Sequence, residues 1–520
     1  MTPSQALAPA TGTTRHPARA GSLWPLWFAA GLLLCGAQVL WTLQAGFLTP
    51  VATDRWRTAL VALSDAAAFR ELFAVTFPPL LLSADMIVAL LPGTGSVPVP
   101  LLVNVLVGGA LAAAWASMLA DGGYGRLTAG LAALLLVAHP TLQQAIAAGE
   151  GVPLAVLAMT LLTPAALRVR QGGEVNAMAV MGAALALILF SAASGAYLVL
   201  AMLPFLVALS PPVLVARSSG GVLLVLLFPV AFTLAGYLYT NWIFGGSVTA
   251  FAQGVDSAIR GASGNLGAYP WLMGWGRGAG GAFLAGSLMI LVACPLLPFI
   301  LWRVRNRQAR LSLALLAGSV LAAIIIASLT HYLDHPGRLL PYLLPVAIVG
   351  AAAMRPGLLP SPLLLLLATL GLGGGWLSQS IAPSPNMTAW HRALSGQDVS
   401  SVAAQEDAAF GVLLRGLDDV AMDADMSGLV VPARGGAEGL VLTSTDRLKA
   451  DILTRRLSTR YIALQDPQSP RGQRDRISRA LPDLWRDGPP GGRLVAMRGP
   501  WRLWEQTERV DASFREGGQS

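Results

Sequence analysis

The chain has 520 residues, of which 54% are hydrophobic and only 12% charged, and its mean hydropathy is +0.61. A soluble domain carries about a quarter charged residues, so an ordinary soluble protein is excluded. The formal charge of +8 and the pI near 10.1 do not make a nucleic-acid binder, because the arginines fall in short loops and the tail, not in a stripe among exposed aromatics.

Residues 1–22 are polar, with Arg15, His16 and Arg19, and read as a cytoplasmic tail. The first apolar run, 23–48, exceeds a signal-peptide core and reads as a retained signal anchor. Lys449 is the only lysine, which with the Ala/Gly/Arg-rich composition implies a GC-rich, bacterial genome. Cys35 and Cys294 lie inside apolar stretches and form no metal-ligand pattern.

A spanning helix takes about 20 mostly apolar residues. Such runs lie near 24–46, 98–120, 126–148, 151–168, 176–193, 194–210, 220–241, 281–302, 311–330, 339–354 and 357–376. One more apolar stretch, 73–91, contains Pro78, Pro79 and Asp85. Positively charged loops stay in the cytoplasm. Arg15, Arg19, Arg168, Arg170, Arg217, Arg303, Arg305, Arg307, Arg310 and Arg355 all fall inside together only if 73–91 is re-entrant or interfacial. The expected architecture is therefore a polytopic α-helical membrane domain over 23–378, with about 11 spans, the N-terminus in and the C-terminus out. Its outer face collects 47–97, the turn at Glu150, the loop 241–280, the segment 331–338 and the tail.

The tail, 379–510, reads as a small extracytoplasmic α/β domain, followed by a disordered 511–520. Helical spacing covers 400–417 and 446–457. Short apolar runs at 428–431, 440–443 and 461–464 read as strands, and 493–497 with 501–505 read as a closing hairpin.

Ionisable groups at membrane depth are expensive and start as functional candidates. After the first span the chain reads Asp54-Arg55-Trp56-Arg57, then Asp65, Arg70 and Glu71 in an amphipathic stretch, then Pro78-Pro79-Leu80. Asp54 is either a general base or the cap of the following helix. Further on, His331-Tyr332-Leu333-Asp334-His335-Pro336-Gly337-Arg338 precedes a proline-bearing span. The spacing of His331 and His335 suits one helical face for a metal, but Pro336 and Gly337 end a helix there. Arg338 offers a fork of donors for a phosphate; the same residues also suit an interfacial loop. Glu150, between Gly149 and Gly151, can line a cavity, whereas His139, Gln143 and Gln144 read as interhelical bonds. In 241–280, Trp242 reads as a membrane-belt residue, and Trp271 as either a belt residue or a sugar platform.

The acidic residue after the first span, the amphipathic stretch and the Pro-Pro-Leu segment resemble the GT-C superfamily of polytopic glycosyltransferases, whose members take a sugar from a polyprenyl-phosphate donor on the outer membrane face. The resemblance makes Asp54 the catalytic acid, Arg57 its usual basic neighbour, and Arg338 the phosphate clamp. Glu150 and Asp65, with His331 and His335, are then supporting substrate-binding groups. It implies a bilayer and a polyprenyl-phosphate sugar as partners, and the bacterial inner membrane as location. No ligand set demands a metal cofactor. The chain departs from the family in one respect: many members have an acidic pair where this one has Asp54-Arg55. A non-catalytic envelope-assembly scaffold is the alternative. A transporter is disfavoured by the lack of an inverted repeat. The enzyme reading requires Asp54, Glu150 and Arg338 to converge.

Overall fold

The computed structural model describes residues 23–64, 66–91, 97–172, 174–251, 279–330, 335–381, 383–469 and 471–506. The first apolar run forms α1 (Trp24–Gln44), and three short helices follow: α2 (Pro50–Ser64), α3 (Ala66–Val75) and α4 (Pro79–Ala89). Next come α5 (Val99–Asp121), a bent pair of α6 (Arg126–Val137) and α7 (Pro140–Ala147), then α8 (Val152–Gly172), α9 (Val175–Ser191), α10 (Ala193–Leu209) and α11 (Pro212–Gly245). A second bent pair, α12 (Ala279–Ala293) and α13 (Leu296–Arg303), leads to α14 (Arg307–Leu329), a 3-10 turn (Pro336–Tyr342), α15 (Leu343–Leu358) and α16 (Ser361–Ser380).

Each expected span coincides with a helix or a bent pair. Among the described residues, seven helices are long and apolar enough to cross a bilayer, or nine if each bent pair is one span. The 17 residues of α9 and of α10 rise about 25 Å each. The 11 residues of α4 rise only about 16 Å, roughly half the ~30 Å hydrocarbon core. Helices α1 and α11 turn large apolar side chains outward, including Leu33, Leu224 and Phe232, as a lipid-facing surface requires.

Both bends sit at prolines. Pro140 and Pro295 remove a backbone donor and disfavour helical geometry in the residue before them; the bends are 61° and 90°. Broken helices leave carbonyls that must be satisfied inside the protein. His139 lies at the first break and serves the second. Its Nε2 is 3.0 Å from the carbonyl of Ala293 and its Nδ1 is 2.8 Å from Thr141 Oγ1. His139 is thus an interhelical tie, as its sequence context implied.

After α16, α17 (Pro385–Leu394) lies on α1: Trp41 Nε1 donates to the Leu394 carbonyl, and Val399 N to that of Ala45. The C-terminal domain contains α18 (Val402–Leu413), β1 (Val420–Met422), α19 (Val430–Arg434), β2 (Leu440–Leu442), α20 (Asp446–Thr454), β3 (Tyr461–Gln465), α21 (Arg476–Ala480), α22 (Leu484–Asp487), β4 (Gly492–Arg498) and β5 (Trp501–Gln506). Its sheet runs β2-β1-β3-β5-β4, with β1 parallel to β2 and β3, and the closing hairpin antiparallel. One expected strand is corrected. The run 428–431 leads into α19, and the missing strand is Val420–Met422. Three apolar residues between Asp419 and Asp423 are too short a run to register as periodic. The domain sits directly on α2: Val61 joins its core with Phe410, Leu414 and Trp501.

Candidate functional site

Asp54 and Arg55 are successive residues inside α2 and so point about 100° apart. Asp54 is not the helix cap. That role falls to Thr49, whose Oγ1 accepts from Ala52 N at 3.1 Å. The Asp54 carboxylate is 68% exposed and takes Arg57, one turn on, at 2.6 Å. Arg57 also donates to the Ala424 carbonyl, tying α2 to the C-terminal domain.

Arg55 turns inward. Its Nε and Nη2 grip both oxygens of Asp85 on α4 at 2.9 and 2.7 Å, and Asp85 is fully buried. A planar guanidinium matches a carboxylate in this way. Such pairing is what makes a buried charge tolerable. The remaining Nη1 donates to the Gly149 carbonyl at 2.5 Å.

The next residue, Glu150, is nearly buried and its carboxylate meets Arg338 Nη2 at 2.5 Å. Two arginine–carboxylate pairs thus abut through one peptide unit. They join α2 and α4, the α7–α8 turn, and the 3-10 turn before α15. Of the three residues expected to converge, Glu150 and Arg338 are in direct contact. Asp54 approaches only through its neighbour Arg55, with its own carboxylate turned toward Arg57.

The other sequence candidates are placed unevenly. Asp65 and His331 lie outside the described residues, as does Trp271 of the 241–280 loop. His335 is buried. Its Nδ1 accepts from Gly337 N at 2.9 Å and its Nε2 lies 3.3 Å from the Ile381 carbonyl, so it shapes the turn that delivers Arg338. Sequence reasoning passed over Arg55, which it took as a departure from the family. The signal was available: a carboxylate inside an apolar segment, Asp85, demands a cation. One cavity of about 200 Å³ lies where α2 and α3 meet the C-terminal domain, lined by Val61, Ser64, Glu438 and Thr445. Another of about 310 Å³ lies by Asp418, Asp419 and Arg460. Neither is lined by Glu150 or Arg338.

No protein-family model matches this chain, and no curated protein matches it. Among solved structures, the crystal structure of ArnT from Cupriavidus metallidurans bound to undecaprenyl phosphate is similar, with a TM-score of 0.50. The likeness covers 93% of this chain and 98% of that one at 15% sequence identity. The chain shares the fold of that protein: a polytopic helical membrane domain carrying a small C-terminal α/β domain.

Proposed function

We propose that this chain is a membrane glycosyltransferase of GT-C type that takes a sugar from a polyprenyl-phosphate donor at the outer face of a bacterial inner membrane. The observation that carries the reading is the Glu150–Arg338 pair, which holds a guanidinium fork at a break between helices. One solved structure of similar fold holds undecaprenyl phosphate. Arg338 meets the donor's phosphate, and Glu150 aims the fork. Placement of the arginine-rich loops on the cytoplasmic side puts this face and the C-terminal domain outside.

The reaction needs one base. An acceptor hydroxyl attacks the anomeric carbon, the carbon–oxygen bond to phosphate breaks, and polyprenyl phosphate departs with the electron pair. The hydroxyl proton passes to Asp54, which this structure turns toward Arg57 and away from the Glu150–Arg338 pair, so the step requires its exposed carboxylate to swing from Arg57 to the acceptor. Arg338 offsets the charge that grows on the leaving phosphate. Asp54→Asn and Asp54→Ala, assayed by sugar release from undecaprenyl-phosphate donors in membranes, are expected to lose at least about a hundredfold in rate. The pairing of Asp54 with Arg57, which is itself bound to the C-terminal domain, favours a second reading: a scaffold that uses Asp54 to dock that domain. Full function in both variants would select the scaffold.

A further inference from the structure

The turn between α7 and α8 is held in an unusual way. Its three successive carbonyls, those of Ala148, Gly149 and Glu150, are each taken by a buried or nearly buried side chain from elsewhere. Thr49 Oγ1 donates to the first at 2.6 Å, Arg55 Nη1 to the second at 2.5 Å, and Asn104 Nδ2 to the third at 2.9 Å. Thr49 and Asn104 are 3% and 0% exposed. Helix-end carbonyls are satisfied by single side chains, by water or by a local turn. Here dedicated side chains do the work at the cost of their own desolvation.

The turn is also fixed sterically. Gly149 has φ of +66°, and a Cβ there would lie 2.7 Å from Ala52 Cβ, so only glycine lets α2 approach this closely. Asp85 completes the arrangement. By occupying Nε and Nη2 of Arg55, it leaves Nη1 as the donor for the turn. Everything in this set acts on one backbone stretch, and that stretch ends in the carboxylate that holds Arg338.

We infer that Thr49, Arg55, Asp85 and Asn104 form a carbonyl clamp whose task is to position Glu150, and through it the Arg338 fork, with α4 recruited as the support that aims Arg55. The inference rests on Arg338 being the phosphate ligand. These four are positioning residues: none needs to touch the donor.

The test uses the full chain in detergent with undecaprenyl phosphate as probe, and reads its dissociation constant beside thermal melting. Asp85→Asn is expected to weaken binding about tenfold, the scale of coupling between residues in one network. Arg55→Lys keeps the charge but loses the planar fork, and is expected to fold and bind several-fold more weakly. Glu150→Gln should weaken binding comparably, and adding Asp85→Asn to it should cost less than about twofold more, since no charged partner is left to aim. Wild-type affinity in Asp85→Asn overturns the clamp, whether or not melting falls. So does a double variant in which the two losses simply multiply. If instead Arg338→Ala binds the probe as tightly as wild type, the reading of the fork fails and the clamp falls with it. Loss in Arg338→Ala with no loss in Asp85→Asn overturns the clamp alone.

Discussion

The membrane domain and the C-terminal domain both bury carboxylates, and only the C-terminal domain holds some of them with neutral donors alone. In the membrane domain Asp85 and Glu150 are each met by an arginine, and the two networks touch at the successive residues Gly149 and Glu150. In the C-terminal domain one buried carboxylate, Asp407, also meets an arginine, Arg471, at 2.7 Å, but Asp475 is held by neutral donors alone: the amides of Ile477, Ser478 and Gln465 and the hydroxyl of Ser478. Asp423 is held likewise, by the amides of Asp425 and Arg476 and the hydroxyl of Thr443. The difference follows from the surroundings. A water-facing domain keeps a higher effective dielectric and a supply of free amides at loop and helix starts, so dipoles suffice. Within a bilayer the helices consume their own amides, and only a full counter-charge offsets the loss of water.

The most forceful way to break this comparison is to remove one arginine. Arg55→Ala leaves Asp85 buried and unpaired, and is expected to cost about 3–5 kcal/mol, read as loss of folded protein on thermal unfolding in detergent. Replacing both partners, Arg55→Met with Asp85→Leu, should restore most of that stability, because the burial penalty leaves with the charges. A double variant as unstable as the single one would contradict the idea that charge balance is what matters there.

The matching change in the C-terminal domain is milder. Asp475→Ala strands several donors and is expected to cost about 1–3 kcal/mol, measured by denaturant unfolding of the full chain. A loss as large as that of Arg55→Ala would erase the contrast between the two regions.

Asp475 also sharpens the comparison through pH. Burial pushes its carboxyl up to about 6, and the nearby Asp423 adds to the shift, against the bonds from Ser478. The folded state then holds this proton more tightly than the unfolded chain does. The stability so conferred is complete below about pH 4 and is lost as pH rises through about 6. Hydrogen exchange at the amides of β3 should accordingly quicken across that interval, and Asp475→Asn should flatten the trend.

The smallest expected effect is at the seam between the regions. Lys449, which pairs with Glu71 at 3.1 Å while both remain substantially exposed, should lose no more than about 1 kcal/mol on change to Ala. Thermal melting at low and high salt checks it.

Much of the fold was legible because a bilayer imposes length and apolarity on each span, and both are properties of contiguous sequence. The bent pairs hid inside the expected runs 126–148 and 281–302, where Pro140 and Pro295 marked the breaks. In the C-terminal domain the hairpin was visible because Arg498, Gly499 and Pro500 punctuate two alternating runs. The strand Val420–Met422 was not, since three residues carry no period. Of the candidate site, Glu150 and Arg338 could be singled out as costly charges, but nothing in the sequence paired them across 188 positions.

The sequence by itself determined that this chain lies in a bilayer, which loops carry positive charge, and which ionisable residues stand at membrane depth. Those are statements about composition along the chain. Tertiary structure alone decided that Arg55 belongs with Asp85 and the Gly149 carbonyl, and that Asp54, its neighbour, faces the other way. The physical reason is that a helix turns about 100° per residue. Adjacent side chains therefore enter different environments, and only the packing of α2 against α4 and the α7–α8 turn decides which of the two is buried with a partner.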